Sequence, residues 1–259
     1  MKTTVTALMA CLLMLAGIDA NAQRKKKSAT NPDTKVLTLG GTYTRLEVSS
    51  AFEVIVSDTV KQPVATLPAH LHNNIEFEVE NGKLSIRLKG RNSMKQRPRI
   101  VLPYNPQLTE VELSGASSFR TPMGLNGDIV KLDIDDASTF EGNITAAKKA
   151  DIELAGASYF HGRVESGMVE YESKGASTAL ITGSAYIHLD LDMSQASKLD
   201  AKNLVARKVK GALTDASNAL VQCTESLRVN ITGASTLTYS GTPRDIDCPT
   251  DVLSRLRRK

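Results

Sequence analysis

The chain has 259 residues and a formal net charge of +4, with 41% hydrophobic residues, 4% aromatic residues and no tryptophan. So few aromatics, with no basic-aromatic platform, exclude a nucleic-acid partner. No apolar run beyond the N-terminal leader is long enough to span a bilayer as a helix, which excludes a transmembrane helix.

Met1 to Ala22 reads as a secretory signal: Lys2, an apolar stretch from Val5 to Ile18, then the small-x-small site Ala20-Asn21-Ala22. Residues 23–35 come next as a disordered basic linker containing Arg24-Lys25-Lys26-Lys27. From Val36 to residue 107 a β pattern begins, which is expected to cap the repeats beyond residue 107 and to run into them without a break. Tyr43 to Val48 and Ala51 to Val56 alternate between apolar and polar. Ile75–Glu80 and Lys83–Leu88 flank Asn81-Gly82, a hairpin with a two-residue turn. A strand over Arg99–Pro103 comes next. His70 and His72 could supply two metal ligands, but no third is evident, and a loop is expected there.

Over residues 108–242 the dipeptide Ala-Ser recurs seven times, with alanines at 116, 137, 157, 176, 196, 216 and 234, in steps of 18 to 21 residues. Counting each alanine as position 0, positions −7, −5 and −3 are apolar with few exceptions, and polar residues stand between them. A period of two is that of a half-buried strand. Position −1 is Gly, Asp or Gln, suited to a turn, and the alanine is expected to fill a tight inner corner. Position +3 returns to the core with Phe119, Phe140, Phe160, Ala179, Leu199, Ala219 and Leu237. About 20 residues make one circuit, too few for two helices. The expected fold is therefore all-β: a single-stranded, right-handed parallel β-helix of about seven coils with an N-terminal β cap.

Residues 243–259 read as a basic C-terminal tail or cap. Between residues 101 and 245 there are 13 Lys+Arg against 18 Asp+Glu, so the repeats are acidic and the flanks basic. Basic tails of this kind read as solvated, mobile ends, or as segments that touch anionic envelope components or a neighbour's acidic body. Cys223 and Cys248 remain after the leader is removed and could pair in an oxidising compartment, pinning the C-terminal segment over the open end, or stay as thiols.

Position −4 holds Glu112, Asp133, Glu153, Glu172 and Asp192. Stacked coils would bring these outward-facing carboxylates into a ladder, a candidate ligand-binding face. Its two readings are a face that meets a cation or basic partner, and a solvated face that resists aggregation. The seven serines at +1 have no histidine at a repeated position near them, which argues against a serine nucleophile. Tyr159 and Tyr239 are candidates for exposure.

Residues 46–56, the hairpin around Asn81-Gly82, and Val111-Glu112-Leu113-Ser114-Gly115-Ala116-Ser117 together resemble the putative auto-transporter adhesin, head GIN domain family, secreted envelope-associated proteins common in Bacteroidetes. The resemblance covers essentially all of the mature chain. It implies a β-helix-like solenoid with an adhesin role and supplies no catalytic motif. Asp136, Gln195 and Asp215 depart from the glycine of the phrase. The expected function is a non-enzymatic, exported protein of the periplasm or cell surface that uses no cofactor. Its polar acidic face would meet an envelope protein or glycan. The alternative is a polysaccharide lyase or hydrolase on the same fold.

Overall fold

The computed structural model describes residues 33–90 and 96–259. The signal over 1–22 and the linker over 23–32 lie outside the described residues, and residues 33–35 belong to the first strand. In chain order the first seven strands are β1 (Asp33–Val36), β2 (Arg45–Val48), β3 (Glu53–Ser57), β4 (Val64–Leu67), β5 (Ile75–Glu80), β6 (Lys83–Leu88) and β7 (Arg99–Pro103). A short 3-10 turn, Ala69–Asn74, precedes β5 and contains both His70 and His72. The repeats form β8 (Glu110–Leu113), β9 (Ser118–Ile134), β10 (Thr139–Leu154), β11 (Tyr159–Ser173), β12 (Thr178–Met193), β13 (Lys198–Leu213), β14 (Asn218–Ile231) and β15 (Thr236–Ser240). β16 (Asp245–Asp247) and β17 (Arg255–Arg258) complete the chain.

The repeats stack as a parallel β-solenoid. Phe119 pairs with Phe140, Phe140 with Phe160, and the row continues through Ala179, Leu199, Ala219 and Leu237 to Leu256. On the other side of the corner, Leu113 leads a second row through Ile134, Leu154, Ser173, Met193, Leu213 and Ile231. Both rows keep step across the corner, so the seven Ala-Ser turns lie over one another along one edge. Parallel ladders place successive strands ~4.8 Å apart.

The corner is the reverse of the sequence expectation. The serines are inside, at 0–1% exposure, while Ala137, Ala157, Ala176, Ala196, Ala216 and Ala234 face solvent and Ala116 is half-buried. The physical reason is backbone geometry. Position −1 takes a left-handed φ in all seven turns, and Asp136 (61°), Gln195 (58°) and Asp215 (53°) adopt it as the glycines do. Such a turn swings positions −1 and 0 outward and returns the chain to the core at the serine. Only a small residue fits at position 0, because four of the alanines also have positive φ.

Inside, bulk is balanced between positions +3 and +5. The phenylalanine coils pair Phe140 with Gly142 and Phe160 with Gly162, whereas other coils pair Ala179 with Ile181 and Ala219 with Val221. Phe140 stacks on Phe160 with centroids 5.4 Å apart and planes 3° from parallel, and on Phe119 at 5.8 Å. The Phe140 and Phe160 rings fill the space that a side chain at +5 occupies in other coils.

The N-terminal segment adds two rungs before the first Ala-Ser turn, in inverted order. β2 and β3 pair in parallel with β8 and β9, bringing Leu46 beside Val111 and Val54 beside Phe119. β6 and β7 then pair in parallel with β2 and β3 from the far side. The chain thus lays the inner rung, then the outer one, and steps back across to β8. Antiparallel strands cover the end: β5 on β6 through the Asn81-Gly82 turn, β4 on β7 and β1 on β4. At the other end β16 stacks on β14 and β17 on β15, so residues 243–259 lay one further rung.

Candidate functional site

Alternation along each strand turns position −4 outward, and the parallel register then fixes its neighbours. Glu112 pairs with Asp133, Asp133 with Glu153, Glu153 with Glu172 and Glu172 with Asp192. All five residues expected from the sequence lie in one row. The N-terminal rung adds a sixth, Glu47, which pairs with Glu112. Sequence reasoning missed Glu47 because it sits before the repeats; its place three residues before Ser50-Ala51 is the signal that could have found it. The row ends at Ala212 and Asn230 on one side and at Ser85 on the other.

The neighbouring −6 row carries its own counter-ions. Lys149 bridges Asp151 (3.1 Å) and Glu170, and Lys210 meets Asp190 at 2.8 Å. Among the described residues no ion pair reaches Glu112, Asp133, Glu153, Glu172 or Asp192; only Glu47 is paired, to Lys83 at 2.6 Å. Burial is the main cause that raises the carboxyls of Glu112, Asp133 and Glu153 above their ordinary values, and neighbouring carboxylates add to it. For Glu153 those neighbours are Glu172, Asp133 and Asp151, with Lys174 opposing them. The row borders a shallow groove of about 300 Å³, walled by Asp133, Glu153, Glu172 and Asp192, with Asp135 and Lys174 beside them.

The chemistry this arrangement offers is electrostatic. Among the described residues no group of three His, Cys, Asp or Glu side chains is placed to hold a metal ion. The corner serines are structural. Ser217 Oγ donates to the carbonyls of Met193 (3.0 Å) and Thr214, and Ser138 Oγ accepts from the amide of Ser117 at 3.2 Å. Among the described residues no hydrogen bond joins a corner serine to a histidine; His72 Nε2 lies 3.2 Å from the Leu67 carbonyl oxygen. Tyr159 is exposed as expected, but Tyr239 is buried because its side chain points inward at position +5.

The Cys223–Cys248 pairing is not formed in this structure, and both are free thiols. Cys223 is buried and its Sγ donates to the Ser226 carbonyl at 3.1 Å; Cys248 is half-buried and donates to the Leu227 carbonyl at 3.6 Å. Cys223 lies beside Ala206, and Cys248 comes just after β16, which stacks on Ser226 to Arg228.

Fold and surface together define a parallel β-solenoid repeat protein with a long ordered outer wall. The chain belongs to the putative auto-transporter adhesin, head GIN domain family, whose pattern it matches over residues 42–243. Among solved structures it is similar to a putative adhesin from Parabacteroides merdae. That match has a TM-score of 0.80 at 17% identity and covers 89% of this chain and 97% of that one. It is also similar to a putative adhesin from Parabacteroides distasonis (TM-score 0.73, 21% identity, 89% and 95% covered). A putative lipid binding protein from the same organism shares the fold as well (TM-score 0.72, 19% identity, 89% and 98% covered). At these identities the likeness is one of fold. No curated protein matches the sequence. Among the described residues no helix is long and apolar enough to cross a membrane, which says nothing of strands.

Proposed function

We propose that this protein is a non-enzymatic, exported adhesin-like solenoid of the periplasm or cell surface, and that its row of uncompensated carboxylates is the face that meets a partner. The observation that carries the reading is the contrast between adjacent rows. Lysines pair with Asp151, Glu170 and Asp190 of the −6 row, while among the described residues no ion pair reaches the −4 row, the next outward position along each strand, in five successive coils. A cationic segment of an envelope protein or glycan fits such a wall, because each carboxylate it meets relieves repulsion from the next. A regular row of equivalent carboxylates, without a distinct acid and base, does not suit polysaccharide cleavage.

The test is capture from solubilised envelope by wild-type protein and by the triple variant Asp133→Asn, Glu153→Gln, Glu172→Gln. A partner held by the wild type and released by moderate salt should be lost from the variant. Equal capture by both would remove the acidic face from the function. Turnover of an acidic polysaccharide by the wild type would replace the reading with the enzymatic one.

A further inference from the structure

The last rung departs from the corner rule of the Ala-Ser turns. Every Ala-Ser turn puts Gly, Asp or Gln and then Ala at its two solvent-facing positions, and the earlier corner uses Ser50-Ala51. In the last rung Arg255 pairs with Thr236, and Ser254 Oγ accepts the Ser235 amide at 3.2 Å, so Ser254 takes the serine position. The same register sets Val252 and Leu253 at the two outward corner positions. They are 99% and 67% exposed. The seven Ala-Ser turns instead place Gly, Asp or Gln and then alanine at these two positions. Asp251 holds the corner rigid: its carboxylate accepts from the amides of Gly233 (2.7 Å), Leu253 (3.1 Å) and Ser254 (2.8 Å).

Cations succeed the two aliphatics directly. Arg255, Arg257, Arg258 and Lys259 are all exposed, and among the described residues none of them is in an ion pair. The nearby acids are largely occupied. Asp245 is bound by Arg228 at 2.6 Å, Asp251 is engaged with the corner amides, and Asp247 lies on β16 beside Arg228, continuing the −6 row. Ile246, at the end of the core, is 45% exposed beside them.

We propose that this terminal rung is a peripheral membrane-docking surface for an anionic phospholipid bilayer: Val252 and Leu253 enter the headgroup–acyl boundary, and Arg255, Arg257, Arg258 and Lys259 meet the headgroup phosphates. An apolar anchor and a cationic patch are together the two signals that stable peripheral binding needs. Arginine stems lie along the apolar boundary while their guanidinium groups stay with the phosphates. The docking end is opposite the end covered by β1, β4 and β5, and it stands independently of the role assigned to the carboxylate row.

The test is co-sedimentation of the purified protein with vesicles of phosphatidylglycerol and phosphatidylcholine, and with phosphatidylcholine alone. Binding should need the anionic lipid and fall with salt. Val252→Ser with Leu253→Ser should weaken partitioning roughly tenfold or more, and each of Arg255→Gln and Arg257→Gln by about fivefold. All four positions are exposed, so unchanged thermal melting certifies that the variants fold. Equal binding to neutral vesicles, or wild-type binding by the serine variant, overturns the proposal. So does finding by analytical ultracentrifugation that Val252 and Leu253 drive self-association instead of lipid binding.

Discussion

The balance of bulk between positions +3 and +5 makes a sharp prediction at Gly162. Gly162 does not have the left-handed φ that would by itself exclude a side chain, so the cost of Gly162→Ala is steric. A Cβ built there overlaps the carbonyl oxygen of Gly142 in the rung beside it and lies 3.2 Å from Cζ of Phe160. The Gly142 oxygen is backbone and the Phe160 ring is held between strands, so neither can yield without opening the β10–β11 ladder. Overpacking costs about 1–3 kcal/mol, and each ladder bond lost adds ~1 kcal/mol. Gly162→Ala should therefore lower stability by roughly 3–5 kcal/mol, or about 6–20 °C in melting temperature for a domain of this size. Gly40 is the control. It has no heavy atom within 4 Å of a built Cβ and no left-handed φ, so Gly40→Ala should be neutral or stabilising by up to ~1 kcal/mol. Urea denaturation followed by far-UV circular dichroism reads both. A Gly162→Ala midpoint equal to that of Gly40→Ala would show that the Phe140 and Phe160 rings do not need the glycines, and the account of the core would be wrong.

Three further predictions concern the row and the corners. Glu153→Gln removes a charge flanked by Asp133 and Glu172 and should raise stability by about 0.5–1 kcal/mol after solvent screening; a lower melting temperature would mean that the carboxylate is engaged, not repelled. The raised carboxyls of Glu112, Asp133 and Glu153 bind protons more readily folded than unfolded. Their share of stability is thus fully present below the ordinary carboxyl values of 4.5 and 3.8 and lost as pH rises through the higher folded values. Glu76, Asp245 and Asp251 are lowered by their hydrogen-bond partners, so their share is lost as pH falls from 4.5 and 3.8 toward the folded values. Melting temperature should therefore rise on mild acidification from neutrality and turn over below about pH 4; a steady fall from pH 7 would contradict the raised row. Finally, Ser177 Oγ is buried with no hydrogen-bond partner among the described residues, so Ser177→Ala should be neutral or stabilising. Ser217→Ala, which loses the bonds to Met193 and Thr214, should cost about 1 kcal/mol; equal effects in thermal melts would refute a role for the corner hydroxyls.

The repeat itself was legible because a parallel stack makes every coil obey the same constraint, so side-chain direction at −5, −4, −3 and +3 could be read from alternation alone. The carboxylate row came from the same property and was correct in register from Glu112 to Asp192. The direction of the corner was not legible. Alanine and serine are both small, and only the left-handed φ at position −1 decides which of them enters the core. Glu47 and the final rung were hidden for a different reason. Phe52 and Ser254 occupy serine positions in corners that lack the Ala-Ser phrase, and the inner N-terminal rung precedes the outer one in the chain. Rung order is set by which edges can pair, not by position along the chain. A sequence period therefore reveals the coils that keep the phrase and conceals the ones that end the stack. Those ends must stop the stack from growing, and they do it with different residues: antiparallel strands at the N-terminal end, and a row of arginines on β17 at the other. Departures from the repeat are thus where a solenoid's individual properties lie, and Val252-Leu253, where exposed aliphatics stand in place of the small corner residues of the Ala-Ser turns, is where a partner specific to this chain is to be sought.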